Sequence, residues 1–216
     1  MAGIKVWLAS SDSGGEIIVD KTTKIMNKIG LGFEPYVAPL LTIPSFSEAG
    51  QDAWVCEKLI KPTFRKPNIY RGTFLDIGSN DPFYNNNSYA LELLGWTGWL
   101  VDFDHDMCEL CKWTRTNTVL EADARKVDWV DFLKTNKIDY LSLDVHNTKT
   151  ENNVVAILKN LLPVVTFKVM TIEHDSYEYG EEFKKNIRDL VSSFGYIIEV
   201  EDVGYDQPFE DWWVRA

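Results

Sequence analysis

From about residue 72 onward, short runs rich in Val, Ile, Leu and Phe alternate with stretches whose apolar residues recur at helical spacing. Residues 72–75, 99–103, 118–120, 138–143, 167–172 and 196–203 read as strands, several of them apolar enough to be buried on both faces. Between them, 88–94 follows an Asn-rich capping stretch and stops at Gly95. Residues 151–162 space Val154, Val155, Ile157, Leu158 and Leu161 as one helical face ahead of Pro163, and 181–194 does the same with Phe183, Ile187, Leu190 and Val191 ahead of Gly195. Strand–helix–strand repeats demand right-handed crossovers, so the pattern predicts a largely parallel α/β sheet. Residues 208–214, with Phe209, Trp212 and Trp213, are too apolar for a free tail and predict a final, antiparallel strand. Residues 1–70 lack this rhythm; 4–8 and 16–19 suit short strands and 52–60 a helix. The expected organisation is an N-terminal cap over residues 1–70 and one α/β domain over 71–216.

With 216 residues there is material for one full core. The 22 Lys and Arg against 33 Asp and Glu give a net charge of -11, a mean field that repels phosphate backbones and anionic lipid. Neither nucleic acid nor a membrane is an expected partner. No apolar run approaches the roughly 20 residues that span a bilayer, and residues 1–13 lack the long apolar region of a secretory signal. Three cysteines, Cys56, Cys108 and Cys111, do not make a disulfide framework and suit a reducing compartment, so a cytoplasmic location is expected. The Cys108-x-x-Cys111 pair is read as core, on one helical stripe with Met107 and Leu110.

The strand ends carry the chemistry. The stretch Thr73-Phe-Leu-Asp-Ile-Gly-Ser-Asn-Asp-Pro82 runs an apolar strand into an acid, a glycine and a polar turn. In open α/β sheets, ligands bind outside the carboxyl ends of the strands, where the strand order reverses. Gly78 would let a ligand approach the backbone, but Asn80 and Phe83 stand where a dinucleotide fingerprint needs glycines. Asp76 would repel a pyrophosphate and attract an ammonium or sulfonium group. Asp102 ends the next strand, 24 positions after Gly78, where a ribose-binding acid belongs, with Phe103 placed to flank a base. Asp123, beside Ala124, and Asp144 follow the next two strands. Four successive strands thus deliver a carboxylate to one edge, favouring a zwitterionic nucleoside.

These motifs, GTFLDIGSNDP, GWTGWLVDFD, IDYLSLDV and TIEHD, with the upstream SEAGQDAWV, resemble the FkbM-type S-adenosylmethionine-dependent methyltransferases, within the class I Rossmann-like superfamily. The resemblance covers residues 45–214 and leaves 1–44 outside. It implies a seven-stranded sheet with a reversed final strand and S-adenosyl-L-methionine as cofactor. It assigns Asp76, Gly78, Ser79 and Asn80 to the methionine turn, Asp102 to the ribose, and Asp123 with Ala124 to the adenine. Where family members often carry Asp-x-Glu-Gly after the fourth strand, this chain has Asp144-Val-His-Asn147.

Methyl transfer to a hydroxyl needs in-line positioning and removal of a proton. His146 is the first candidate base, because an unperturbed imidazole titrates near neutrality, with Asp144 orienting it or touching the cofactor; His174 is the second. An alternative gathers Asp144, His146, Glu173 and His174 around a divalent metal. The expected activity is O-methylation of a sugar or other small hydroxylated acceptor. The competing readings are a diverged nucleoside-binding module without turnover and a nucleotide-dependent oxidoreductase, the latter weakened by the missing glycines. Trp96, Trp99, Trp212 and Trp213 read as packing before they read as a sugar platform.

Overall fold

The computed structural model describes residues 3–5, 42–60 and 70–216. Strand β1 (Gly3–Lys5) pairs antiparallel with β2 (Thr42–Pro44), and helix α1 (Gln51–Val55) continues into a π-helical turn over Cys56–Ile60. There follow β3 (Thr73–Ile77), α2 (Tyr89–Leu93), β4 (Thr97–Asp102), α3 (His105–Thr114), β5 (Thr118–Glu121), a 3₁₀ turn (Ala124–Lys126) and α4 (Trp129–Leu133). The chain ends with β6 (Lys137–Leu143), α5 (Asn153–Leu161), β7 (Thr166–Glu173), α6 (Ser176–Tyr179), α7 (Glu181–Ser193), β8 (Tyr196–Val203) and β9 (Glu210–Arg215).

Strands β3 to β9 form one sheet in the order β5-β4-β3-β6-β7-β9-β8. Strands β3 to β7 run parallel, while β9 enters between β7 and β8 and is antiparallel to both. The expected reversed last strand is present. From β3 the chain builds outward to β4 and β5, then crosses to β6 on the other side, so the order reverses between β3 and β6.

Both faces are covered, which explains the uninterrupted apolar runs. One face presents Leu75, Ile77, Leu141, Leu143, Met170 and Ile172 to α4, α5 and α7, through residues such as Trp129, Val154, Ile157, Ile187 and Val191. The other presents Phe74, Leu100, Tyr140, Val169 and Trp212 to the 51–60 segment, α2 and the Cys111 side of α3. Each large side chain buried this way contributes about 1.5–3 kcal/mol.

Each expected strand in this sheet is found, shifted by a few residues at most. Helix α3 differs from its expected stripe: Cys108 and Cys111 are buried, but Leu110 is 38 % exposed. Trp96, Trp212 and Trp213 are buried core residues. Of the expected N-terminal strands, 4–8 is described only at residues 4–5, within β1, and 16–19 lies outside the described residues. Among the described residues no helix is long and apolar enough to cross a membrane.

Candidate functional site

The turn after β3 is built by backbone constraints. Gly78 sits at φ +81° and donates its N–H to Val101 O at 2.8 Å, while Asp144 N–H reaches Ile77 O at 2.9 Å. A Cβ on Gly78 would lie 1.6 Å from the carbonyl oxygen of Asp144. The space that glycine leaves is filled by the end of β6, which by itself requires glycine at this position. Ser79 is buried, and Asn80 takes a left-handed φ of 44°.

Asp76 is buried beneath this turn. Its Oδ2 accepts the Ser88 hydroxyl at 2.6 Å, and burial pushes its carboxyl up to about 6 despite Ser88, Arg115 and Ser142. Asp102 ends β4 with both oxygens on backbone donors: Oδ2 accepts Asn80 N–H at 2.8 Å and Oδ1 accepts Asp104 N–H at 2.9 Å. It therefore ties the β3 and β4 turns together while retaining lone pairs. Phe103 is 80 % exposed at the rim.

Asp123 is placed differently from its neighbours. It caps the 3₁₀ turn and grips Arg125 with both oxygens, at 2.9 and 2.8 Å, and Lys126 at 3.1 Å, which holds its carboxyl far below the usual range. An exocyclic amine would have to compete with that guanidinium. A surface pocket of about 390 Å³ opens beside Asp123, between Leu120, Ala122, Val127 and Phe132. Asp76, Gly78, Asp102 and Asp144 do not line it. Ala124 is buried under the turn.

At the ends of β6, β7 and β9 a second set of acids gathers. Asp144 is half-buried beside Glu173, and burial together with Asp144 and Asp175 pushes the Glu173 carboxyl far above the usual range. Glu210 lies opposite Glu173 in the β7–β9 register and is buried; it accepts Trp212 Nε1–H and a bond from Gln51, and burial still pushes it up to about 8. Burial, with Asp144 nearby, pushes Asp175 up to about 6, and His146 opposes that shift. His146 itself is exposed, on the loop after β6. Asn147, the other unusual residue of that loop, is buried with its Oδ1 accepting the Val154 N–H in the first turn of α5 at 3.3 Å.

His174 does not join them. From Val169 to His174 successive side chains alternate faces, and His174 falls on the α7 side, fully buried. Its Nδ1 accepts Ser176 N–H at 3.2 Å, and its Nε2 faces Asp202 and Asp211 at 3.6 and 3.8 Å. Those acids are already held by Lys184 and Arg188. His174 is therefore withdrawn as a base, and the four-residue metal arrangement does not converge. Among the described residues, the groups with convergent ligand atoms are His105–Glu109–Glu121 and His174–Asp202–Asp211, and Lys112 already pairs with Glu109 in the first.

Several residues that shape the site were not singled out from sequence. Asn86 Nδ2 donates to Ser79 O and Asp81 O at 3.0 Å each, and its Oδ1 accepts the N–H groups of Ser88 and Tyr89. Arg115 and Ser88 belong here too. The Asn-rich run was the visible signal for Asn86; Arg115 had none.

No protein-family model matches the sequence, and no curated protein does. Solved structures do. Magnesium protoporphyrin IX methyltransferase ChlM from Synechocystis PCC 6803, crystallised with bound SAM, aligns over 76 % of each chain with a TM-score of 0.53 and 15 % identity. A TehB-like SAM-dependent methyltransferase from Corynebacterium glutamicum aligns over 77 % of this chain and 88 % of its own, with a TM-score of 0.51 and 11 % identity. The bifunctional kinase-methyltransferase WbdD matches 80 % of this chain, which spans only 40 % of that protein, with a TM-score of 0.53 and 15 % identity. The chain shares the Rossmann-like α/β fold of these methyltransferases. Asp76 and Gly78 at the end of β3, Asp102 at the end of β4 and Asp144 after β6 lie on one edge of the sheet, around the β3–β6 switch point.

Proposed function

We propose that the chain is an S-adenosylmethionine-dependent methyltransferase that O-methylates a sugar or another small hydroxylated acceptor. The observation that carries this reading is the row of acids at the carboxyl ends of adjacent parallel strands, at the switch point of this fold. The donor set fits a cationic, hydroxyl-bearing ligand: carboxylates accept from ammonium and ribose hydroxyl groups, and they favour a sulfonium by Coulomb attraction. They disfavour the pyrophosphate of a dinucleotide, which counts against the oxidoreductase reading.

In this reading Asp102 holds the ribose, Asp76, Gly78, Ser79 and Asn80 shape the turn for the amino-acid end, and Phe103, Asp123 and Ala124 border the base. When bound, the cofactor supplies an electrophilic methyl carbon. The chain's own work is at the acceptor. Asp144 lies at the rim of the crevice with exposed His146 two residues on, and the imidazole takes the hydroxyl proton as the carboxylate orients it. Burial beside Asp144 favours the neutral form of Glu173, which in this reading donates a hydrogen bond to an acceptor oxygen.

A methyl-transfer assay with labelled donor across a panel of sugars and small alcohols tests this. Turnover on at least one hydroxyl, reduced about 100-fold in His146→Ala, is the expected result. Donor binding without transfer to any acceptor would instead support the diverged nucleoside-binding module.

A further inference from the structure

We propose that Arg115, remote in sequence from every strand-end motif, is a positioning residue that fixes the turn after β3 and, through Ser88, keeps Asp76 in the anionic form that receives the cationic end of the methyl donor. The second half rests on the function proposed above; the first does not.

Arg115 follows α3, and its side chain is fully buried. Its Nε donates to Glu92, its Nη1 to Pro82 O at 3.0 Å and Asn86 Oδ1 at 3.2 Å, and its Nη2 to Ser88 Oγ at 3.1 Å. The guanidinium also stands 5.1 Å from the Tyr89 ring centroid. One rigid fork thus pins three points of the segment between Gly78 and Tyr89, which only a planar, permanently charged donor set can do. The Ser88 hydroxyl accepts from Arg115 and has one proton to donate, for which Asp76 Oδ2 at 2.6 Å is the nearer acceptor and Asn86 Oδ1 at 3.1 Å the farther. Arg115 and Asp76 are therefore joined by one hydroxyl, and the carboxylate end of this relay lies under the turn that Asn80 and Cys111 Sγ, 3.5 Å from Asn80 O, hold from above.

The charge balance is tight. The single cation serves two acids, Glu92 directly and Asp76 through Ser88. The polar and titratable groups around Asp76 come from three sides: Ser88 at the start of α2, Arg115 and Cys111 from α3, and Tyr140, Ser142 and Asp144 from β6 and its loop. Burial and Asp144 favour the neutral acid, whereas Arg115, Ser88 and Ser142 favour the carboxylate. Removing Arg115 moves that balance toward the proton.

The test follows the Asp76 carboxyl by ¹³C NMR through a pH titration, without cofactor, in wild type, Arg115→Met and Ser88→Ala. The titration midpoint is expected to rise by about one pH unit in each variant. Ser88→Ala keeps the question open to refutation should Arg115→Met fail to fold. In parallel, S-adenosylmethionine affinity is measured from pH 5.5 to about 8.5 in the same proteins. An ionised Asp76 strengthens binding, so affinity rises with pH through its midpoint; the variants should bind about eightfold more weakly at pH 5.5, about twofold more weakly at pH 7, and match wild type as pH rises further. Arg115→Lys should restore part of the shift. An unchanged midpoint, or an affinity loss equal at every pH, would reduce Arg115 to scaffold and overturn the inference. A displaced midpoint with no donor binding in wild type would instead uphold the relay and refute the functional reading on which its purpose rests.

Discussion

Gly78 shows how much a single residue decides and how its reason was hidden. The sequence marks it as a glycine in a strand-end turn, a position usually explained by ligand approach. Its positive φ and the Asp144 carbonyl against it show that the constraint is internal. Gly78→Ala should therefore destabilise the fold by about 3 kcal/mol or more, since backbone on both sides must move. Urea unfolding of the variant checks this; a loss under about 1 kcal/mol would contradict the packing described. Other single residues divide the same way. Asp102 and Asp144 were legible because an acid ending an apolar run has few other uses. Arg115 and Ser88 were not, because they are 27 positions apart and meet only through tertiary packing. His174 misled because β7 is buried on both faces, so no polar alternation shows which side a histidine at its end will take.

At the scale of elements, the strands were legible from their long apolar runs, and α5 and α7 from their spacing. Helices α4 and α6, of five and four residues, are too short to show a period. The reversed strand β9 was expected, but its consequence was not: pairing with β7 sets Glu210 opposite Glu173, beside Asp144. Three elements thus bring their acids together, with Glu210 buried and Asp144 and Glu173 half-buried. A carboxyl whose folded pKa is raised holds its proton where the unfolded chain has lost it. Its stabilising contribution is complete below the ordinary glutamate range and fades as pH rises through the folded value, about 8 for Glu210. Stability should accordingly fall between pH 5 and 8, and Glu210→Gln should flatten that fall by roughly 3 kcal/mol. Denaturant unfolding of both proteins at the two pH values measures it; parallel declines would show that Glu210 is ionised in the native state.

For the whole molecule, the three-layer sandwich and its strand order place the candidate groups on one edge of one sheet. Local propensity made the layers readable, whereas the acids' surroundings depend on which neighbours the crossovers bring. The Asp123 carboxylate, committed to Arg125, illustrates the difference: its position at a strand end was foreseen and its partner was not. The net charge of -11 gives the molecule a field suited to a cationic donor and unsuited to polyanions. Calorimetric titration of S-adenosylmethionine into wild type and Asp102→Ala, with folding matched by circular dichroism, tests the central claim most directly. One-site binding by wild type, weakened about 10- to 100-fold in the variant by loss of charge-assisted hydrogen bonds, is the predicted result. No binding by the folded wild type, or equal affinity in both proteins, would contradict it.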